Sequence, residues 1–194
     1  ARSINELIAL ARAQSGQLNI ASTGSGSLPH MAQELFKAAS STDMLHVPYS
    51  GAAPAITGIL GGQVHGMFAD LPVLLPYIKS AKLRPLAIAD QKRSNLLPGL
   101  PTLAEEGMPA VLAVNTDTAP GAGKNTKGHI AGLRDIVVKA LADTVTREKM
   151  LAMGADPAGS TSEQFGDYLR ADLARWAKLA QTVSIKVDLF LSAS

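Results

Sequence analysis

The stretch LNIASTGSGSLPHMAQELF, residues 18–36, decides how the rest of the chain is read. Leu18 and Ile20 flank Asn19 as in a short strand, and Met31, Leu35 and Ala39 then recur at helical spacing, so a strand feeds a helix through Ala21 to Ser27. Such a junction is an anion cradle. Gly24 and Gly26 allow close backbone approach and φ > 0, while the unpaired amides and positive dipole end of the following helix favour a carboxylate or phosphate. The hydroxyls of Ser22, Thr23, Ser25 and Ser27 are expected to add neutral donors. The same residues also suit an ordinary turn, with Ser27 capping the helix and Pro29 in its first turn. Related formulas do not fit. Pro29 stands where a dinucleotide fingerprint needs its third glycine, and no serine has glycines two residues away on both sides, as a hydrolase nucleophile elbow requires.

Working outward, Ser3 and Glu6 have capping-box spacing ahead of a helix with Leu7, Ile8 and Ala11 on one face, stopped at Gly16. After residue 40, Met44 to Tyr49 reads as a second strand, turned by Ser50-Gly51-Ala52-Ala53-Pro54 into a short helix that ends at Gly61-Gly62. Gln63 to Phe68 reads as a third strand, Leu71 to Lys79 as a proline-interrupted helix, and Leu83 to Ala89 as a fourth strand with Pro85 marking an edge. This alternation predicts an α/β fold with a parallel or mixed sheet and helices on its faces. Ligands in such sheets sit beyond the carboxyl ends of the strands, where both Gly/Ser turns and Ala69-Asp70 fall.

Beyond Asp90 the pattern changes. Gln91 to Pro109 is loop-rich, and Ala110 to Val114 could add a strand. Asn115 to Lys127 is polar and glycine-rich, and is expected to be a mobile linker. Ile130, Leu133, Val137, Ala140 and Leu141 mark an amphipathic helix, and Arg147 to Ala152 another turn or two before Gly154. The last helix opens on a capping box of Thr161 and Gln164 and carries the stripe Phe165, Leu169, Leu173, Trp176, Ala180 and Val183, which must pack on something.

With 46% apolar and 18% charged residues among 194, the chain is ordinary globular material, and a formal charge of +2 with scattered Lys and Arg gives no reason to expect nucleic acid. It has no cysteine, hence no disulfide framework or thiolate site, and no apolar run of membrane-spanning length. Four scattered histidines make no metal-ligand pair; His46 and His65 fall in strands and read as pairing or packing residues. Gly121 to Thr126 has the flavour of a phosphate loop, but Thr118 and Asn125 occupy positions that need Gly and Ser/Thr. Glu105 and Glu106 read as a solvated helix face rather than an acid/base pair. No metal or cofactor is expected.

Four blocks then carry a family resemblance: residues 18–37, the run MLHVPYSGAAPAITGILGGQVHGMFADLP from Met44, KLRPLAIADQKRSNLLPGLPTLAEEG from Lys82, and KALAD through FGDYLRADLARWAKLAQTVSIK. Together they resemble the Bug receptors, the solute-binding proteins of tripartite tricarboxylate transporters, with HVPYxG and GGQVxxMFxxLP the most specific. The resemblance implies a periplasmic clamshell of the type II binding-protein class, holding a small carboxylate through amides, hydroxyls and water. It carries ligand binding to Thr23, Gly24, Ser25 and Ser27, to Tyr49, Ser50, Gly51 and Ala53, and to Ala69 and Asp70. Ala69 stands where several relatives have Asp, so a ligand with an ammonium group is not expected. The resemblance places residues 1–114 in the second, ligand-binding lobe and 115–194 in a crossover segment and C-terminal helices. The chain is expected to start in mid-protein, without the stretch that forms the opposite cleft wall.

The function expected is therefore an extracytoplasmic carboxylate receptor that performs no chemistry, works with membrane transporter subunits, and as this chain alone binds weakly or self-associates through its last helix. The alternative is an enzyme on a phosphorylated or carboxylated metabolite, with the first turn as anion pocket and His30 as acid/base.

Overall fold

The computed structural model describes residues 1–114 and 127–182. They fall into two compact units, one containing Ala1–Asn115 and the other Thr116–Leu179. No helix among the described residues is long and apolar enough to cross a membrane.

The first unit is built on three parallel strands, β1 (Asn19–Ser22), β2 (Leu45–Pro48) and β3 (Gly66–Met67), in the order β2-β1-β3. Ile20 pairs with His46 and Gly66, and Ala21 with Val47 and Met67, so alternate residues face opposite sides of the sheet. Leu18 and Ile20 share a core with α1 (Ile4–Ala13) and with Phe36 of α2 (Leu28–Ser40). Ala21, Val47, Met67 and Tyr49 face the other way, onto Ala55 of α3 (Ala52–Leu60). The chain runs outward from β1 to β2 and then back past β1 to β3, and this reversal puts α2 and α3 on opposite faces.

Local chemistry fixes the helix starts. Ser3 caps α1 by accepting from the Glu6 amide at 3.2 Å, and Glu6 reaches back to the Arg2 amide at 2.7 Å, one residue beyond the capping-box position. Ala11 is buried while Leu7 and Ile8 are partly buried against the core. α4 (Leu71–Lys79) keeps Pro76 inside it.

Two predicted strands are not strands. Residues 83–89 make a single parallel bridge, Ile88 with Thr102, and from residues 110–114 the Ala113 amide reaches the Ala89 carbonyl at 2.9 Å. Pro85 lacks the donor a ladder needs, and Ile88 is already paired to the 101–103 segment on both sides. Glu105 is exposed as expected, but in a turn rather than on a helix. It closes a turn, accepting from the Thr102 amide at 2.7 Å while Thr102 Oγ1 accepts from the Glu105 amide, and Arg93 Nε sits 2.9 and 3.0 Å from its two oxygens. The Arg93 bond, then the Thr102 amide, hold its carboxyl below the usual range. Leu103, Met108 and Val111 flank this turn and complete the first core.

The second unit holds α5 (Lys127–Ala142), α6 (Thr144–Met153) and the larger part of α7 (Ser162–Thr182). α6 is a full helix, not a turn or two, because Asp143 caps it by accepting from the Thr146 amide at 2.9 Å and Gly154 closes it at φ 90°. The α7 capping box is present in both directions, Gln164 amide to Thr161 Oγ1 at 3.1 Å and Thr161 amide to Gln164 Oε1 at 2.9 Å. Of the predicted α5 stripe, Ile130 and Leu141 are half-buried but Leu133 and Val137 are exposed, and Val138, outside the stripe, packs against Gly159. On α7, Leu169 and Leu173 are exposed and Trp176 half-buried, its indole donating to Asp172 Oδ2 at 3.0 Å with Arg175 over the ring. Ala180 and Val183, and residues 115–126 of the expected linker with Gly121 to Thr126 among them, lie outside the described side chains.

Candidate functional site

Because the strands are parallel, the turns that follow β1, β2 and β3 all emerge at one edge of the sheet. The first runs from Thr23 to Ser27 into α2, the second from Tyr49 to Gly51 into α3, and the third from Phe68 to Asp70 into α4. The first two touch. The Tyr49 amide donates to the Ser22 carbonyl at 3.1 Å, and a β-carbon at Gly24 would lie 3.7 Å from the Tyr49 carbonyl oxygen. Gly24 at φ 140° and Gly51 at φ 150° occupy backbone that a side chain would strain.

The first turn spends part of its bonding capacity on itself. The Gly24 carbonyl accepts from Ser27 Oγ at 2.7 Å and the Ser27 amide at 3.2 Å, Ser27 Oγ accepts from the His30 amide at 3.4 Å, and the Gly26 amide donates to His30 Nδ1 at 3.0 Å. Among the described residues, the amides of Thr23, Ser25 and Leu28 meet no protein acceptor, nor do those of Ser50, Gly51, Ala52 and Ala53 at the start of α3. Helix-start amides of this kind, with the dipole behind them, are anion donors. Asp70 is the exposed N-cap residue of α4 and makes no side-chain capping bond, and Ala69 before it is half-buried.

Two expected donors point elsewhere. Ser22 is fully buried, its Oγ bonded inward to His46 Nε2 at 2.6 Å and to the Gly24 backbone. Tyr49 stands at the mouth with its main chain only: its ring lies against Gly58, six residues along α3 from Ala52, or about 9 Å at the helical rise. Thr23, Ser25, Ser50, Gly51 and Ala53 thus present unbonded amides at the shared edge, Gly24 shapes the turn with its amide and carbonyl both bonded, and Ser27 is engaged as a cap.

Behind the first turn lies a feature the sequence did not reveal. The rings of His30 and His46 stack at 3.7 Å between centroids and 4° between planes. Burial is the largest influence on both and favours the neutral form; it lowers His30 and, with His30 alongside, pushes His46 down to about 4. Glu34 works against this, with one carboxylate oxygen 3.9 Å from His30 Nε2, but Lys37 holds that same oxygen at 3.0 Å. The only signal for the pair was its place in register: His46 sits opposite Ile20, on the face that α2 covers. His65 behaves as a pairing residue, its Nδ1 accepting from the Asn19 amide at 3.0 Å and its amide donating to the Asn19 carbonyl at 2.8 Å.

The Ser22–His46 distance is that of a nucleophile and its base, yet the serine has no exposed surface on which a substrate could meet it. His30 is buried too, with Nδ1 occupied by the Gly26 amide, so it is not placed as the acid/base of an enzyme at this turn.

Comparison with known proteins agrees with this architecture. Residues 1–185 match the family described as the tripartite tricarboxylate transporter family receptor. Protein BugT of Bordetella pertussis is 32% identical over 186 residues, which is 95% of this chain and 57% of BugT. A solved structure from R. palustris containing adipate superposes with a TM-score of 0.88 at 30% identity, over 96% of this chain and 62% of that one. The periplasmic binding protein BugD shares the fold, with a TM-score of 0.78 at 24% identity over 97% of this chain and 64% of that one. The chain thus spans roughly three-fifths of the length of these relatives. It belongs to the tripartite tricarboxylate transporter receptor family, that of the Bug-type solute-binding proteins.

Proposed function

We propose that residues 1–114 form the carboxylate-binding lobe of a periplasmic receptor that delivers its ligand to the membrane subunits of a tripartite transporter and performs no chemistry. Residues 115–194 then serve as crossover and C-terminal helices. The observation that carries this reading is the convergence of three strand-to-helix turns at one sheet edge, two of them in contact and offering amides with no protein acceptor among the described residues. Oriented amides on a rigid sheet bind a carboxylate without a charged side chain, each charge-assisted hydrogen bond contributing about 1.5–3 kcal/mol. The adipate in the R. palustris relative supports a dicarboxylate.

The site residues are Thr23, Gly24, Ser25 and Ser27, Ser50, Gly51 and Ala53, with Tyr49 contributing main chain and Ala69 and Asp70 lining the third turn. An amide-resolved NMR titration of the 194-residue chain with adipate tests this. Binding of roughly millimolar affinity or better is expected, with the largest shifts at Thr23, Ser25, Ser50 and Gly51. Ser27→Asp keeps a good cap residue but sets a negative charge in the turn, so it should fold normally and lose the adipate shifts. Shifts confined to other residues, or undiminished in Ser27→Asp, would refute the assignment.

A further inference from the structure

We propose that His30 and His46 are positioning residues of the anion cradle: a stacked pair that holds the β1–α2 loop only while both rings are neutral, so that acidification releases the loop and the carboxylate with it. The release of ligand rests on the reading of the site given above; the latch itself rests on the bonds that follow.

His30 is the third residue of α2, and its contacts form a variant of the capping box, with imidazole in place of the usual carboxylate and reaching one residue beyond the N-cap. Ser27 Oγ accepts from the His30 amide, and His30 Nδ1 accepts from the Gly26 amide at 3.0 Å. A ring nitrogen accepts only without its proton. Protonating Nδ1 sets two donors face to face and breaks the bond that anchors Gly26.

His46 acts on the other end of the same loop. Its Nε2 is 2.6 Å from Ser22 Oγ, which is in turn 3.2 Å from the Gly24 amide and 3.0 Å from the Gly24 carbonyl. The hydroxyl has one proton. With Nε2 bare, that proton goes to His46, and a lone pair is left for the Gly24 amide. With Nε2 protonated, the hydroxyl must turn to the Gly24 carbonyl, which already receives Ser27 Oγ and the Ser27 amide.

The surroundings favour the neutral pair. Burial acts on both rings, the α2 start places its positive dipole end beside His30, and stacking at 3.7 Å sets any charge on one ring against the other. Of the charged groups that act on the rings, Glu34 and Lys37 both come from α2; β1 contributes only neutral Ser22, and β2 only His46 itself. Glu34 is the one counter-charge, and Lys37 claims it.

The test is hydrogen exchange of the Gly24 and Gly26 amides, read with the histidine ring resonances, from pH 7.5 to 3.5. Protection of Gly26, corrected for intrinsic exchange, should fall more than tenfold in step with ring protonation. His30→Asn places Oδ1 where Nδ1 stood, an acceptor that does not titrate, and should keep Gly26 protected throughout; His30→Ala should lose protection at every pH. His46→Gln, which offers Oε1 to Ser22, should likewise flatten the response of Gly24. Gly26 protection that is flat with pH in the wild type, or that falls equally in His30→Asn, overturns the latch. Adipate shifts that weaken on acidification in the wild type beyond their loss in His30→Asn support the coupling, since the ligand's own protonation is common to both. Absence of adipate shifts at pH 7.5 refutes the binding reading, whereas intact shifts beside pH-flat Gly26 exchange refute the latch alone.

Discussion

Gly58 is the position at which the architecture of the cradle is most directly open to test. It is a buried helical residue in α3, and a β-carbon added there would overlap the Tyr49 hydroxyl oxygen and lie 2.8 Å from Tyr49 Cζ and 3.3 Å from Cε1. Elsewhere in a helix, Gly→Ala gains about 1 kcal/mol by propensity. Here the methyl group must displace a phenol ring packed in the cluster of Ala21, Ala55 and Val64, and overpacking of that kind costs about 1–3 kcal/mol. Gly58→Ala should therefore destabilise the first unit by about 1 kcal/mol net, lowering its melting temperature by about 4 °C or more. With the ring removed, the same substitution has nothing to strike. In a Tyr49→Ala background it should stabilise by the propensity difference, which makes the coupling between the two sites about 2 kcal/mol. Urea unfolding of the four proteins, followed by a probe in the first unit, measures this. Stabilisation by Gly58→Ala in the wild type, or a coupling under about 0.5 kcal/mol, would show that Tyr49 does not occupy the Gly58 notch.

Tyr49→Phe keeps the ring in place and removes only a hydroxyl directed away from the mouth, so adipate shifts at Ser50 and Gly51 should be unchanged; their loss would return the hydroxyl to the binding site. Stability should fall on acidification below about pH 6.5, where the unfolded chain takes up histidine protons first, and level off near pH 4, where His46 itself titrates. The His46 depression sets a ceiling of about 3 kcal/mol at ~1.36 kcal/mol per pH unit, reduced to about 1–2 kcal/mol by solvent screening, and His46→Gln should remove that share in urea unfolding at pH 7 and pH 4.5. The exposed Leu169 and Leu173 on α7 should drive concentration-dependent association, abolished by Leu173→Glu in sedimentation velocity; a monomer at all concentrations would refute it.

Local chemistry was the legible part of the fold. Ser3, Ser27 and Thr161 announced three helix starts because a cap is decided by residues within one turn of each other, and each makes its expected capping bond. The 83–89 and 110–114 segments misled because apolar, β-prone residues specify an extended chain but not its partner. Ile88 pairs with the 101–103 segment, where Leu86, Ala87 and Ala89 meet the core that Leu103, Met108 and Val111 complete, a partner no local propensity names. The α5 stripe was read only in part for a similar reason: Ile130 and Leu141 are half-buried as expected, but Val138 meets Gly159, and apolar spacing could not weigh that contact against Leu133 and Val137.

The candidate site divides along the same line. Gly24 and Gly26 were readable because positive φ at a strand-to-helix turn is a demand on one residue's own backbone, and both meet it. The roles of Ser22, Tyr49, His30 and His46 were not, since each depends on which face of the sheet a residue occupies after pairing. Ser22 and His46 share the face under α2 because β1 and β2 pair Ile20 with His46; shifting that register by one residue would send His46 to the α3 face. Tyr49, three residues on, shares the opposite face with Val47, and so its ring runs into the Gly58 notch of α3 instead of over the mouth. One register thus places an imidazole beneath the first turn and a phenol behind the second, so neither ring stands among the amides that both turns present at the edge they share. A cradle made of backbone keeps its geometry through the side chains beneath it, which is why His30 and His46, whose rings the proposed site does not use, are the residues whose substitution should alter binding through the loop they hold.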